Sequence, residues 1–260
     1  MKYIPKLSLL LLFILSVCAK AMAEVVEENV ALPDELGTAT LYYNDDAVAK
    51  TAGVIVVHEW WGLNQYAKDR ARMLADLGYT AIAVDMYGHG KVAEHPNDAK
   101  GFMDAAMANP EKVNARFNAA KNILKEQVRV DQTKVYAMGY CFGGAVVLNQ
   151  ARMGNDLAGV ASFHGNLSAA VEAKPSDVKA RILVAHGGAD PFVPADQVTG
   201  FVEEMLSLGA DFQLLNYPQA KHSFTNPGAT TKGEKYNLPL AYDEDADTKS
   251  WRAFLDFIEG

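Results

Sequence analysis

The chain has 260 residues, 50% of them hydrophobic, with 24 basic against 32 acidic side chains and a formal charge of −8. That acidic balance argues against nucleic acid and anionic membrane as partners, since both are polyanions. No low-complexity linker or internal repeat divides the sequence, so a single globular domain is the simpler expectation.

The first residues read as a targeting segment. Lys2 and Lys6 precede an almost wholly apolar run over 7–17, and Ala21-Met22-Ala23 supplies a small-residue cleavage pattern. Together they predict a secretory signal peptide over 1–23 and a mature domain over 24–260. The apolar run is shorter than the roughly 20 residues of a membrane span, so no stable membrane association is expected after cleavage. Leu15-Ser16-Val17-Cys18 resembles a lipoprotein processing site apart from the bulky Val17, which leaves lipidation of Cys18 open. Cleavage after Ala23 removes Lys2, Lys6, Lys20 and Cys18, taking the formal charge from −8 to −11. Cys141 is then the one cysteine of a periplasmic or secreted chain. A lone thiol cannot form an internal disulfide, and if exposed it is open to oxidation.

Residues 24–36 are acidic and weakly patterned, a disordered start or a first edge strand, and 38–43 read as a strand ending at Asn44-Asp45-Asp46. The β-branched run 53–57 predicts a strand buried on both faces, ending at His58-Glu59-Trp60-Trp61-Gly62. Asn64 is placed to cap a helix to about Leu77, with Gly78 as its stop. A strand over 80–84 ends at Asp85, a loop follows over 89–96, and helical patterns run over 97–108 and 111–126 around Asn109-Pro110. Strands over 134–138, 157–163, 180–185 and 211–217 alternate with helices over 142–153, 195–208 and 243–258, while 218–235 reads as loop. Buried strands alternating with helices predict an α/β fold with a mostly parallel sheet, whose chemistry collects at the carboxyl ends of the strands. Glu59, Asp85, Cys141, His164, Asp190 and His222 all fall at such ends.

Gly139-Tyr140-Cys141-Phe142-Gly143-Gly144 joins an apolar strand to an apolar helix. A G-x-C-x-G turn in that position is a nucleophile elbow, with Cys141 held in a strained conformation at the tip. The bland alternative is a buried structural cysteine. A thiol nucleophile needs a base, and the base needs a group to hold its ring. In the α/β-hydrolase fold these follow in the order nucleophile, acid, histidine. Asp190 and His222 satisfy that order, His222 being the last histidine in the chain. His164 and His186 precede Asp190 and read as structural, Asp85 as a brace for its loop, and His89 and His95 as loop residues. Glu59, flanked by Trp60 and Trp61, is a desolvated carboxylate beside the site. His58-Glu59 begins a zinc-like pattern, but Gly62 stands where the second histidine would be, so no metal is expected. The backbone N–H of Trp60 or Trp61, with Trp60 preferred, and that of Phe142 fall in the places where this fold puts its oxyanion donors.

Gly139-Tyr-Cys-Phe-Gly-Gly144, His58-Glu-Trp-Trp-Gly-Leu-Asn64, Asp190-Pro-Phe-Val-Pro194 and His222-Ser-Phe224 together resemble the dienelactone hydrolase family. The resemblance spans nearly the whole mature chain. It implies a Cys141, Asp190, His222 triad with no metal or organic cofactor, and a thiol-modulating role for Glu59. It further implies arginines that hold a substrate carboxylate, and here the sequence departs from the pattern. Asn226 stands where one would follow His222-Ser-Phe, and residues 87–110 contain no arginine. The expected function is therefore an exported hydrolase of small-molecule esters or lactones, thioesters included, acting through an acyl-enzyme. The alternatives are a carboxymethylenebutenolidase proper and a non-catalytic binding protein on the same fold. A redox thiol protein would want a resolving cysteine, which the mature chain lacks. Monomer and homodimer are equally open.

Overall fold

A computed structural model describes residues 24–46 and 49–260. The predicted signal peptide, its cleavage site and Cys18 lie outside the described residues. Eight strands form one sheet in the order β1-β2-β4-β3-β5-β6-β7-β8. β1 (Val25–Leu32) and β2 (Gly37–Asn44) make an antiparallel edge, with β2 also antiparallel to β4 (Thr80–Val84). All remaining pairs are parallel, through β3 (Thr51–Val57), β5 (Val130–Tyr140), β6 (Gly159–Phe163), β7 (Arg181–Gly187) and β8 (Phe212–Tyr217).

Alternation along the central strands builds a core on each face of the sheet. Ile55, Val57, Ile82 and Val84 point into one core, beneath α3 (Pro110–Glu126), α4 (Phe142–Arg152) and α5 (Ala195–Leu208). Val54, Val56, Ala81 and Ala83 point into the other, beneath α1 (Gln65–Asp76) and α7 (Glu244–Glu259). Among the described residues, no helix is long and apolar enough to cross a membrane.

Helix boundaries follow local chemistry. The side-chain oxygen of Asn64 accepts from Ala67 N–H at the start of α1, and Asp243 accepts from Ala246 N–H at the start of α7. Gly209 closes α5 in the left-handed conformation at φ 66°. α2 (Pro96–Met107) and α3 both begin at a proline, which has no N–H to leave unpaired at that position.

Of the two readings left open for the acidic start, the first edge strand is the one observed, because eight residues of β1 pair in register with β2. One expectation is corrected. The stretch 218–235 is not all loop, since α6 (Ala229–Tyr236) lies within and beyond it. Its sequence, with two threonines and Gly233, is a poor helix former. Packing supplies what propensity lacks. Ala229 and Leu240 join Trp61 in a small third core, and the Lys232 ammonium sits 4.0 Å over the Trp61 ring.

Candidate active site

Cys141 sits between β5 and α4 with φ 54° and ψ −113°, a conformation that costs free energy and persists only where its surroundings enforce it. Those surroundings are glycines and the neighbouring strand ends. A Cβ on Gly139 would overlap the Gly143 carbonyl, and one on Gly143 would overlap the carbonyls of Val57 and His58. Two backbone bonds fasten the turn, from Cys141 N–H to Phe163 O at 3.0 Å and from Gly143 N–H to His58 O at 3.1 Å. The elbow is thereby tied to the ends of β6 and β3.

Asp190 follows β7 and His222 follows β8. The His222 Nδ1–H donates to Asp190 Oδ2 at 2.7 Å, leaving Nε2 as the free edge of the ring. Both side chains are buried, while Cys141 is half-buried. Burial alone would push the His222 imidazole down. The attraction of Cys141 and the hydrogen bond and charge of Asp190 outweigh it, and the ring's pKa is raised to about 10. Thiol, imidazole and carboxylate form one chain of interactions in which the imidazolium is the favoured form.

Glu59 is 1% exposed. Ser223 Oγ donates to its Oε1 at 2.7 Å and Asn226 Nδ2 donates to its Oε2 at 2.6 Å. The motif resemblance assigns this carboxylate to the thiol; in the structure both its oxygens are occupied by residues that flank His222. Ser223 itself has φ 57°, so the residue beside His222 is also held in a left-handed conformation. Asn226, standing where an arginine belongs to the family pattern, is spent on Glu59. The sequence places Ser223 in a motif and Asn226 at the family's arginine position, but not the contact of either with Glu59, because polar loop residues carry no periodic signal.

The other strand-end residues do structural work. Asp85 accepts from the N–H groups of Tyr87, Gly88 and Gly90, each at 2.9 Å, and so shapes the loop after β4. His58 accepts from Met86 N–H through Nε2 at 3.1 Å and contacts the Glu59 carbonyl through Nδ1 at 2.5 Å. Burial keeps its ring neutral. His164 bonds Thr225 Oγ1 through Nε2 at 2.8 Å and packs edge-on to His222 at 5.2 Å. Burial, then the neighbouring His222 and Arg70 charges, push it well below the ordinary histidine range, so it stays neutral. His186 is also pushed down by burial. His95 caps α2 by accepting from Asn97 N–H.

A cavity of about 510 Å³ opens on the site, lined by Cys141 and His222, by Trp60 and Phe142, and by apolar side chains from α2 and the Phe192 segment. Trp60 and Phe142, the two residues expected to supply oxyanion donors, both line this space with Cys141. Phe142 begins α4, where helical N–H groups have no partner within the helix. The Trp60 loop is steadied by Tyr87, whose hydroxyl donates to the Trp60 carbonyl at 3.0 Å.

Comparison with known proteins agrees with this architecture. The family model of the dienelactone hydrolase family matches residues 38–260. Protein usf of Aquifex pyrophilus is 32% identical over 67% of this chain and 77% of its own length. A putative carboxymethylenebutenolidase of Saccharolobus solfataricus is 28% identical over 76% of this chain and 87% of its own. Among solved structures, a dienelactone hydrolase-like promiscuous phosphotriesterase from metagenomic libraries superposes with a TM-score of 0.80 at 31% identity, covering 92% of this chain and 98% of that one. The structure named m3DLH gives 0.82 at 30% identity with the same coverage. With a matching family model and this sheet order, the chain belongs to the dienelactone hydrolase family.

Proposed function

We propose that this protein is an exported hydrolase of carboxylic esters or lactones, thioesters included, with Cys141 as nucleophile. The observation that carries this reading is the His222–Asp190 bond of 2.7 Å, which aims the ring's free nitrogen toward a cysteine at the tip of a strained elbow. His222 holds the proton of Cys141, and the thiolate sulfur attacks the substrate carbonyl carbon. The carbonyl oxygen takes the negative charge against the N–H groups of Phe142 and Trp60. As the tetrahedral adduct collapses, the C–O bond to the leaving group breaks and His222 gives that group its proton. Water then loses a proton to His222 and attacks the thioester, releasing the acid and returning the sulfur to its starting state. Asp190 keeps the imidazole in the required orientation and balances its charge. Export rests on the leader-like segment over 1–23.

The second reading is a carboxymethylenebutenolidase proper, the name carried by the Saccharolobus relative. Its carboxylate-bearing substrate calls for a lysine or arginine at the cavity, and the lining has neither. Substituting Cys141→Ala tests the main reading. The turnover number on a chromogenic ester should fall at least about 10⁴-fold with an unchanged near-UV spectrum. Undiminished turnover by that variant would overturn the assignment. N-terminal sequencing of the exported protein should begin at Glu24.

A further inference from the structure

Resting on that hydrolase reading, we infer that the substrate's acyl part is uncharged and apolar. The cavity wall is the first observation. Apart from Cys141 and His222, no ionisable side chain lines the space of about 510 Å³, and the polar residues there, Asn149, Asn166 and Ser168, are neutral. The size suits a small organic ligand. The acceptor oxygens of both asparagines are already engaged, Asn149 by Arg152 and the Ala170 N–H, Asn166 by the Ser168 N–H.

The second observation is where the nearby charges go. Asn226, at the family's arginine position, gives its amide to Glu59 and does not line the cavity. Arg152 is neutralised by a two-point pair with Glu204 at 2.8 and 2.7 Å. Lys91, Lys112 and Arg116 line a different cavity of about 310 Å³. α2 stands between the two, with Met103 and Met107 toward the site and Phe102, Ala105 and Ala106 toward the basic cavity. No lysine or arginine is left to receive a substrate carboxylate. The one cationic group the lining offers, the His222 ring, is already turned to Asp190, and Glu59 has no ion pair among the described residues. A carboxylate entering here would lose its water and find only neutral amide and hydroxyl donors, with no lysine or arginine to pair with it.

The third observation is apolar surface left open at the mouth. Phe192 and Met107 are each 47% exposed and both line the cavity. Exposed large apolar groups gathered at one concavity mark the surface that a bound apolar chain covers. The two methionines of α2 have the side-chain flexibility to follow chains of different shape.

The test is hydrolysis of a p-nitrophenyl ester series from acetyl to octanoyl, each member paired with an ester of similar length that ends in a carboxylate. The value of kcat/KM should rise about fourfold per methylene until the cavity is filled. Each carboxylate-ended ester should be at least about 100-fold poorer than its uncharged partner. Met107→Arg, at the half-exposed rim, should narrow that ratio about tenfold by supplying the missing cation. A flat chain-length dependence, or equal or faster hydrolysis of the carboxylate esters, would overturn the inference. To separate this from the chemistry, octanamide and the monoamide of suberic acid are titrated onto Cys141→Ala. Preferential binding of octanamide supports the inference even if the wild type hydrolyses no ester, a result that would sink the catalytic reading alone. Preference for the acid, or binding of neither, counts against the cavity argument itself.

Discussion

Cys141 and His222 face the same cavity, but the chain holds them there by different means. The cysteine turn is fixed by sterics within a few residues, because Gly139 and Gly143 let backbone pass where any side chain would collide. The histidine segment is fixed by polar contacts that reach far along the sequence. Ser223 and Asn226 both donate to Glu59, 164 and 167 positions away, and His222 leans on Asp190. One half of the site is rigid because nothing else fits. The other is rigid only while its hydrogen bonds are complete, so it is the half that substitution should loosen selectively.

Four experiments press on that contrast. The largest effect is expected from Asp190→Asn, which keeps the shape but removes the charge that orients His222. The turnover number should drop about 10⁴-fold with little change in melting temperature. A drop below tenfold would mean that His222 is held by its packing alone. Next, Gly143→Ala should destabilise the protein by more than about 4 kcal/mol, since the new methyl meets two strand-end carbonyls that cannot move independently. Chemical denaturation measures this directly, and near-native stability would show that the elbow is softer than its geometry implies.

Glu59→Gln comes third. Glutamine can accept at one atom only, so with Asn226 still donating, the Ser223 bond must reverse and the hydroxyl accept from the new amide, loosening the pair at a cost of about 1 kcal/mol. Hydrogen exchange should quicken over 218–228 and stay unchanged over 139–144. Equal protection in both segments would remove Glu59 from its place as the strut of the histidine segment.

The smallest effect concerns pH. Attraction to Cys141 and the bond to Asp190 raise the folded pKa of His222 from 6.5 to about 10. The folded state therefore binds the extra proton more tightly than the unfolded chain, and this contribution to stability is complete below pH 6.5. It is lost progressively as pH rises toward 10. In Cys141→Ala the attraction of Cys141 is gone, so the decline should still begin near pH 6.5 but be smaller and end at lower pH. Parallel melting curves between pH 6 and 10 would show the difference, and superimposable profiles would mean that Cys141 does not act on the imidazole.

Legibility in the sequence tracks how local each cause is. The boundaries of α5 are read correctly because Pro194 and Gly209 punctuate them. The elbow is readable because strand, glycines, tip residue and helix are contiguous. β1 is missed as a definite strand because its order comes from pairing with β2 rather than from its own weak pattern. α6 is missed because its helix is secured by Trp61, some 170 residues earlier, and not by its own propensities. Glu59 is readable as a buried carboxylate, but the identity of its partners is not.

What the sequence determined by itself was the alternation of strands and helices, the strained turn at Cys141, and the chain order of Cys141, Asp190 and His222, because periodicity, glycine sterics and chain order act over short spans. Only the tertiary structure decided that Glu59 turns toward Ser223 and Asn226, that the cations gather on the far side of α2, and that the space over Cys141 is walled by uncharged groups. Those outcomes depend on which distant side chains meet across the sheet edge, where hydrogen-bond geometry and exclusion of water, rather than local preference, set the arrangement.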